Sequence, residues 1–119
     1  MISREQLVEI LERELAAIED PKARQQIGTV LVEPTPMRCG WDYGPPGQTF
    51  PCWKVGRDPD GQSVGIVYCE SGFGPESPWG LVWLHEAIPS MGQDTGWFPT
   101  FREAAGDVLD IPRSSLNLR

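Results

Sequence analysis

Apolar residues recur at helical spacing near both ends of this chain and at strand spacing between them. Among the first twenty positions, Leu7, Val8, Ile10, Leu11, Leu15 and Ile18 gather on one side of a helical projection, with Glu5, Glu9, Glu12 and Glu19 opposite. Ser3, followed three residues later by Gln6, marks the start, since each side chain in this pair can satisfy the other's free backbone N–H. Glu14 interrupts the apolar arc and is expected at its flank, with its carboxylate reaching outward. Asp20 and Pro21 then close this helix and open a short second one, "PKARQQIG", because Asp caps helices well and proline is tolerated at the first helical position. Gly28 stops it.

Period-two patterning begins after that. "TVLVE", residues 29 to 33, reads as a β-branched strand that Pro34 and Pro36 finish. "FPCWKVG" and "QSVGIVYCE" flank "RDPDG", where Pro and Asp favour a turn and Gly61 supplies a positive φ, so a hairpin is predicted. In its second strand Val64, Ile66 and Tyr68 share one face and Gly65, Val67 and Cys69 the other, and both faces are expected to be partly covered. "WGLVWLHE", residues 79 to 86, reads as a further strand, with Leu81, Trp83 and His85 opposite Val82, Leu84 and Glu86. Residues 87 to 99 hold too many turn formers for a regular element. Thr100 and Glu103 then repeat the capping-box pattern, and Phe101, Ala104, Ala105 and Val108 follow at helical spacing. The stretch after Asp110 is expected to fray.

The pattern therefore predicts an α+β fold within one domain, 1–119. An antiparallel β-sheet of about four strands carries N-terminal and C-terminal amphipathic helices on one face. The segments are a helical N-terminus (3–27), a β and loop region (29–99), a closing helix (100–110) and a tail (111–119). Composition sharpens the middle boundary: ten of the twelve prolines, eleven of the thirteen glycines and all five tryptophans lie between residues 34 and 99. No internal repeat or low-complexity segment is present.

Charge and cysteine content then narrow the function classes. A net charge of −7 and a pI near 4.6 disfavour nucleic acid, whose phosphates are met by clustered Lys and Arg, and fit a basic partner better. No window approaches the roughly 20 apolar residues of a membrane span, and the charged N-terminus lacks a signal-peptide core. Cys39, Cys52 and Cys69 are odd in number and sparse, a pattern that suits reduced thiols in the cytoplasm.

Candidate chemistry is thin. "ESGFGPESPWG", residues 70 to 80, carries glycines like a phosphate cradle. A strand follows it where a helix N-terminus would be needed, and it has no Lys, so it reads as a wide turn between strands. Cys69 and His85, each near the end of a strand, form a candidate nucleophile and base, although Glu70 and Glu86 beside them would raise a thiol's pKa. Cys39, Cys52, Cys69 and His85 have suitable donor types for zinc, yet they are spaced 13, 17 and 16 residues apart with no close pair. No metal or cofactor is implied. Asp42, Glu70, Glu86 and Asp94 lie in the aromatic region, but no spacing selects an acid pair for hydrolysis.

The tryptophans carry the strongest signal. Trp53 and Trp83, inside strands, are expected in the core, whereas Trp41, Trp79 and Trp97 fall on loops, where scaffolds present binding residues. With their neighbours they give a candidate contact set of Trp41, Asp42, Tyr43, Glu70, Phe73, Trp79, His85, Asp94 and Trp97. The sequence thus points away from enzymes and towards a small acidic protein-binding module, of the kind that neutralises a basic partner as immunity proteins do. A small-ligand or hydrolytic domain with an aromatic pocket is the alternative.

Overall fold

A computed structural model describes residues 2–60, 63–91 and 96–118. Along the chain, α1 (Arg4–Ala16), α2 (Pro21–Gly28), β1 (Leu31–Trp41), β2 (Thr49–Arg57), β3 (Val64–Tyr68), β4 (Trp79–Trp83), β5 (Ser90–Met91), β6 (Trp97–Phe98) and α3 (Phe101–Leu109) precede a 3-10 turn at Arg113–Leu116. The helices begin where their caps dictate. Ser3 accepts from the Gln6 N–H while the Gln6 side chain accepts from the Ser3 N–H. Asp20 accepts from the backbone of Lys22 and Ala23, with Pro21 at the first position. Thr100 accepts from the Glu103 N–H. The Glu103 carboxylate bonds the Thr100 hydroxyl and Arg113 and so does not complete the box.

Glu14 does not reach outward. It is held between α1 and α3, where its carboxylate accepts from the Arg102 N–H at 3.1 Å and faces the Arg102 guanidinium at 3.7 Å. A carboxylate in this place satisfies one of the free donors at the α3 N-terminus and meets the positive end of its dipole.

One mixed sheet of six strands runs in the order β5-β1-β2-β3-β4-β6. Every neighbouring pair is antiparallel except β1 and β5, which run parallel. The sheet exceeds the expected four strands because β5 and β6 come from the stretch expected to be irregular. At two residues each they are too short for alternation to register. β1 also continues through Pro34 and Pro36. β5 pairs it only at Gly40 and Trp41, so the prolines lie on an open edge, and the register with β2 shifts between Leu31 and Thr35; a missing N–H is tolerated there. The β2–β3 hairpin forms as expected, although Gly61 at its turn lies outside the described residues.

The helices cover one face of the sheet. Trp53, Val55, Ile66, Tyr68 and Leu81 point into this layer and meet Leu7, Leu11, Ile27, Phe101 and Ala104. The segment after Asp110, expected to fray, closes the same layer. Asp110 turns the chain in the left-handed region at φ 56°, Leu116 is buried, and Asn117 Oδ1 accepts from the Glu19 N–H at 2.8 Å. Gly106 leaves room for this docking, since an added Cβ would come within 2.3 Å of Leu116. No helix among the described residues is long and apolar enough to cross a membrane.

Candidate functional site

The opposite face of the sheet carries a second apolar layer with an unusual composition. Cys39, Cys52 and Cys69, from β1, β2 and the end of β3, are buried there with Met91, Val67 and Val82, and Met37 packs against them. Alternation is the reason: the residues between them, such as Trp53 and Tyr68, point to the helices. The Cys52 thiol donates to the Phe50 carbonyl at 3.5 Å and the Cys69 thiol to the Pro51 carbonyl at 3.6 Å. The neighbouring Cys39 and Cys69 thiols, Cys39 first, together with burial push the Cys52 thiol well above its ordinary range. The adjacent Cys52 thiol, and after it the Ser71 backbone, hold the Cys69 thiol below its ordinary value despite its burial.

Five aromatic rings close over this layer. Trp41 ends β1, Tyr43 follows it in the β1–β2 connection, Phe50 is the second residue of β2, Phe73 comes from the 70–78 loop and Trp97 from β6. Trp41 lies at the centre, with ring centroids 5.0 Å from Tyr43, 5.1 Å from Phe73 and 5.8 Å from Phe50. Phe73 also meets Trp97 at 5.3 Å. Most of these contacts are edge-on or tilted, the arrangement that ring quadrupoles favour. Tyr43 and Phe73 form the outer surface, with 66% and 42% of their area exposed.

The 70–78 loop is built to fit this cap. Gly72 and Gly74 adopt φ of +75° and +92°, which only glycine does readily. An added Cβ on Gly72 would sit 2.9 Å from Met91 Cε and 3.2 Å from Trp41, so the backbone itself lies against the ring and the thioether. The glycines therefore press a loop onto a sheet face, and no helix N-terminus follows to receive a phosphate.

The candidate contact set divides. Trp41, Asp42, Tyr43, Phe73 and Trp97 come together at the cap, where the Asp42 carboxylate accepts from the Ser90 hydroxyl. Trp79 does not belong to it: this ring is only 3% exposed and packs between Tyr68 at 4.7 Å and Phe101 at 5.5 Å, in the helix layer. Trp83 shows the reverse correction, since it leaves the core at the end of β4 with 41% exposed. Glu70 serves the fold, accepting from the Ile2 N–H at 3.3 Å. Its charge and burial together raise the Tyr68 phenol, burial being the larger cause. Asp94 lies outside the described residues.

His85 joins neither the thiols nor the cap. β3 and β4 are antiparallel, with Tyr68 opposite Trp79 and Val64 opposite Trp83, so Cys69 and His85 lie at opposite ends of the pair. The His85 ring instead sits 6.1 Å from Trp83 and is exposed. A Cys69–His85 nucleophile and a Cys3His zinc site are both ruled out by that direction. Among the described residues no group of three or more His, Cys, Asp or Glu is placed to hold a metal ion. Asp42 and Glu70 are committed to separate partners, Ser90 and Ile2.

Sequence reasoning missed Phe50, although its position two residues before Cys52 put it on the thiol face. It also missed a cleft of about 510 Å³ at the far end of the sheet, where Asp58, Asp60, Asp107 and Asp110 surround an apolar floor and the exposed Trp83. That cleft joins the β2–β3 turn to the C-terminal end of α3, and no local pattern announces such a meeting. No family model, curated protein or solved structure matches the chain.

Proposed function

We propose that this chain is a protein-binding module whose contact surface is the aromatic cap, and that its partner is basic. The observation that supports this most directly is the convergence of five rings from separate segments onto the helix-free face, with Tyr43 and Phe73 left outermost. Aromatic clusters that combine rigid, desolvated inner rings with exposed outer ones are the usual anchors of interfaces. Asp42, next to Trp41 and Tyr43 in sequence, and Glu76, three residues after Phe73, are both exposed, and the whole chain carries −7, so Arg side chains stacked on Tyr43 or Phe73 would find both a ring face and a nearby negative charge. Neutralisation of a basic protein, as immunity proteins perform, is one form this binding would take.

The test is direct binding. A basic protein captured from native lysate is identified, purified and titrated by calorimetry at low and high salt. Replacing Tyr43 and Phe73 together by Ala should weaken binding by roughly tenfold or more, the scale of a lost hot spot. Added salt should slow association. The exposed Trp83, away from the cap, serves as a control, and equal affinity of the cap variant and the parent would reject the surface.

A second reading places a small cationic ligand in the cleft beside Trp83, favoured by the carboxylates of Asp58, Asp60, Asp107 and Asp110 around its apolar floor. A shift of the thermal midpoint on adding aliphatic amines, lost in Asp107→Asn, would support it.

A further inference from the structure

The thiol layer beneath the cap has no part in that binding reading, and its geometry supports a chemistry of its own. The register of β2 with β3 pairs Trp53 with Tyr68, so the next step along both strands sets Cys52 opposite Cys69. The Cys69 N–H bonds to the Pro78 carbonyl on the β4 side, so Cys69 turns no backbone hydrogen bond towards β2. Facing residues of this kind have Cα atoms about 4.5 Å apart, with side chains close together. That separation lies within the range of roughly 4.4–6.8 Å that a disulfide needs. Cys39 is placed differently. It faces Phe50 while Met37 faces Cys52, so Cys39 stands diagonal to Cys52. Diagonal neighbours lie about 7–8 Å apart, at or beyond the limit for a bridge.

We propose that Cys52 and Cys69 are a reversible dithiol–disulfide couple oxidised by hydroperoxides, with Cys69 as the attacking sulfur, Cys52 as the resolving one and Cys39 as a thiol that stays reduced. The Cys69 thiolate attacks one peroxide oxygen, an S–O bond forms as the O–O bond breaks, and the peroxide is reduced to an alcohol or water. The Cys52 sulfur then displaces hydroxide from the Cys69 sulfenic acid. An S–S bond forms, the S–O bond breaks, and the Cys52 proton leaves with the hydroxide as water. Two thiols and one hydroperoxide thus give one disulfide, one alcohol and one water.

The order of ionisation suits these roles: the Cys69 thiol, which donates to the Pro51 carbonyl at 3.6 Å, lies below its ordinary value, and the Cys52 thiol, which donates to the Phe50 carbonyl at 3.5 Å, lies above it, so Cys69 gives up its proton first. Access comes from above. The chain after Cys69 is the 70–78 loop, whose Ser71, Gly72, Phe73, Pro75 and Glu76 are all exposed and whose glycines impose few backbone constraints. Opening this loop uncovers the sulfur without unfolding the sheet.

The experiment treats the native protein with hydrogen peroxide, blocks the remaining thiols by alkylation, and maps linked peptides by mass spectrometry. Cys39 and Cys52 share a tryptic fragment, so a second cleavage between them is required. The expected result is loss of two hydrogens, a Cys52–Cys69 link, an alkylated Cys39, and full recovery with dithiothreitol. Cys39→Ser should still form the link, while Cys52→Ser should stop at sulfenic or higher oxides of Cys69. A Cys39-containing bridge in the parent, or no link although the same thiols react after denaturation, overturns the proposal. The parent's map does not depend on how well any variant folds, and it is independent of whether the cap binds a partner.

Discussion

At the scale of single residues, the two faces of the sheet make opposite demands that the side-chain types alone do not reveal. Trp79 and Tyr43 are both large aromatics in loop-like sequence. Replacing Trp79 by Ala should cost about 3–5 kcal/mol, because it empties the space between Tyr68 and Phe101. Tyr43→Ala should stay within about 0.5 kcal/mol, as for other exposed sites. Urea denaturation of the two variants separates them, and similar midpoints would contradict the placement of Trp79. Thiol ionisation is a second property at this scale. Folded Cys69 ionises below the ordinary thiol value of 9.0, so in the interval below it the unfolded chain holds more protons and stability rises with pH. Folded Cys52 keeps its proton far above 9.0, so past that value the unfolded chain holds fewer and stability falls. Tyr68, raised above 10.0, extends the fall. Urea midpoints measured from neutral to alkaline pH should show this maximum, and Cys52→Ser should soften the descending side. A flat profile in the parent would show that the thiols are not shifted in these directions.

Among elements, what the sequence discloses depends on whether the interaction is local. Caps are local, and Ser3, Asp20 and Thr100 all start helices where their spacing says they should. Alternation in β2, β3 and β4 is local too, and it correctly divides Ile66 and Tyr68 from Val67 and Cys69. The errors occur where a distant partner decides the outcome. Pro34 and Pro36 stay within β1 because β5 covers only its far end. The Glu14 carboxylate turns inward because the α3 N-terminus lies within reach. Glu14→Gln keeps an acceptor but removes the charge facing Arg102 and the helix dipole, and should cost about 0.5–2 kcal/mol. Glu14→Leu should cost more, since it also leaves the Arg102 N–H without its acceptor. Thermal denaturation of the pair measures both, and an unchanged midpoint for Glu14→Leu would show that this contact contributes nothing.

For the whole molecule, the glycines determine how closely the cap can sit on the sheet. Gly80 faces Val67 across β3 and β4 on the thiol side, and an added Cβ would come within 2.5 Å of three atoms of the Trp97 indole. The indole therefore lies directly on the backbone, and the ring beside it, Phe73, inherits its height from that contact. The sequence shows a glycine inside a strand, a known sign of close approach by something, but it does not show that the visitor is a ring arriving from residue 97. The aromatic cluster was foreseeable as a set of loop residues and unforeseeable as one surface, because it is the pairing of β6 with β4 that sets Trp97 beside Phe73. Gly80→Ala should therefore lift Trp97 and disturb Phe73, costing about 1–3 kcal/mol as an overpacked contact does. Its effect on partner binding should exceed that of Gly28→Ala, since Gly28 has open space around it and lies in α2, on the other face of the sheet. Comparing binding and tryptophan emission for the two variants locates the coupling. If Gly80→Ala leaves both unchanged, the cap does not take its shape from the glycine beneath Trp97; if it moves both together, the contact surface and the sheet are one packed unit.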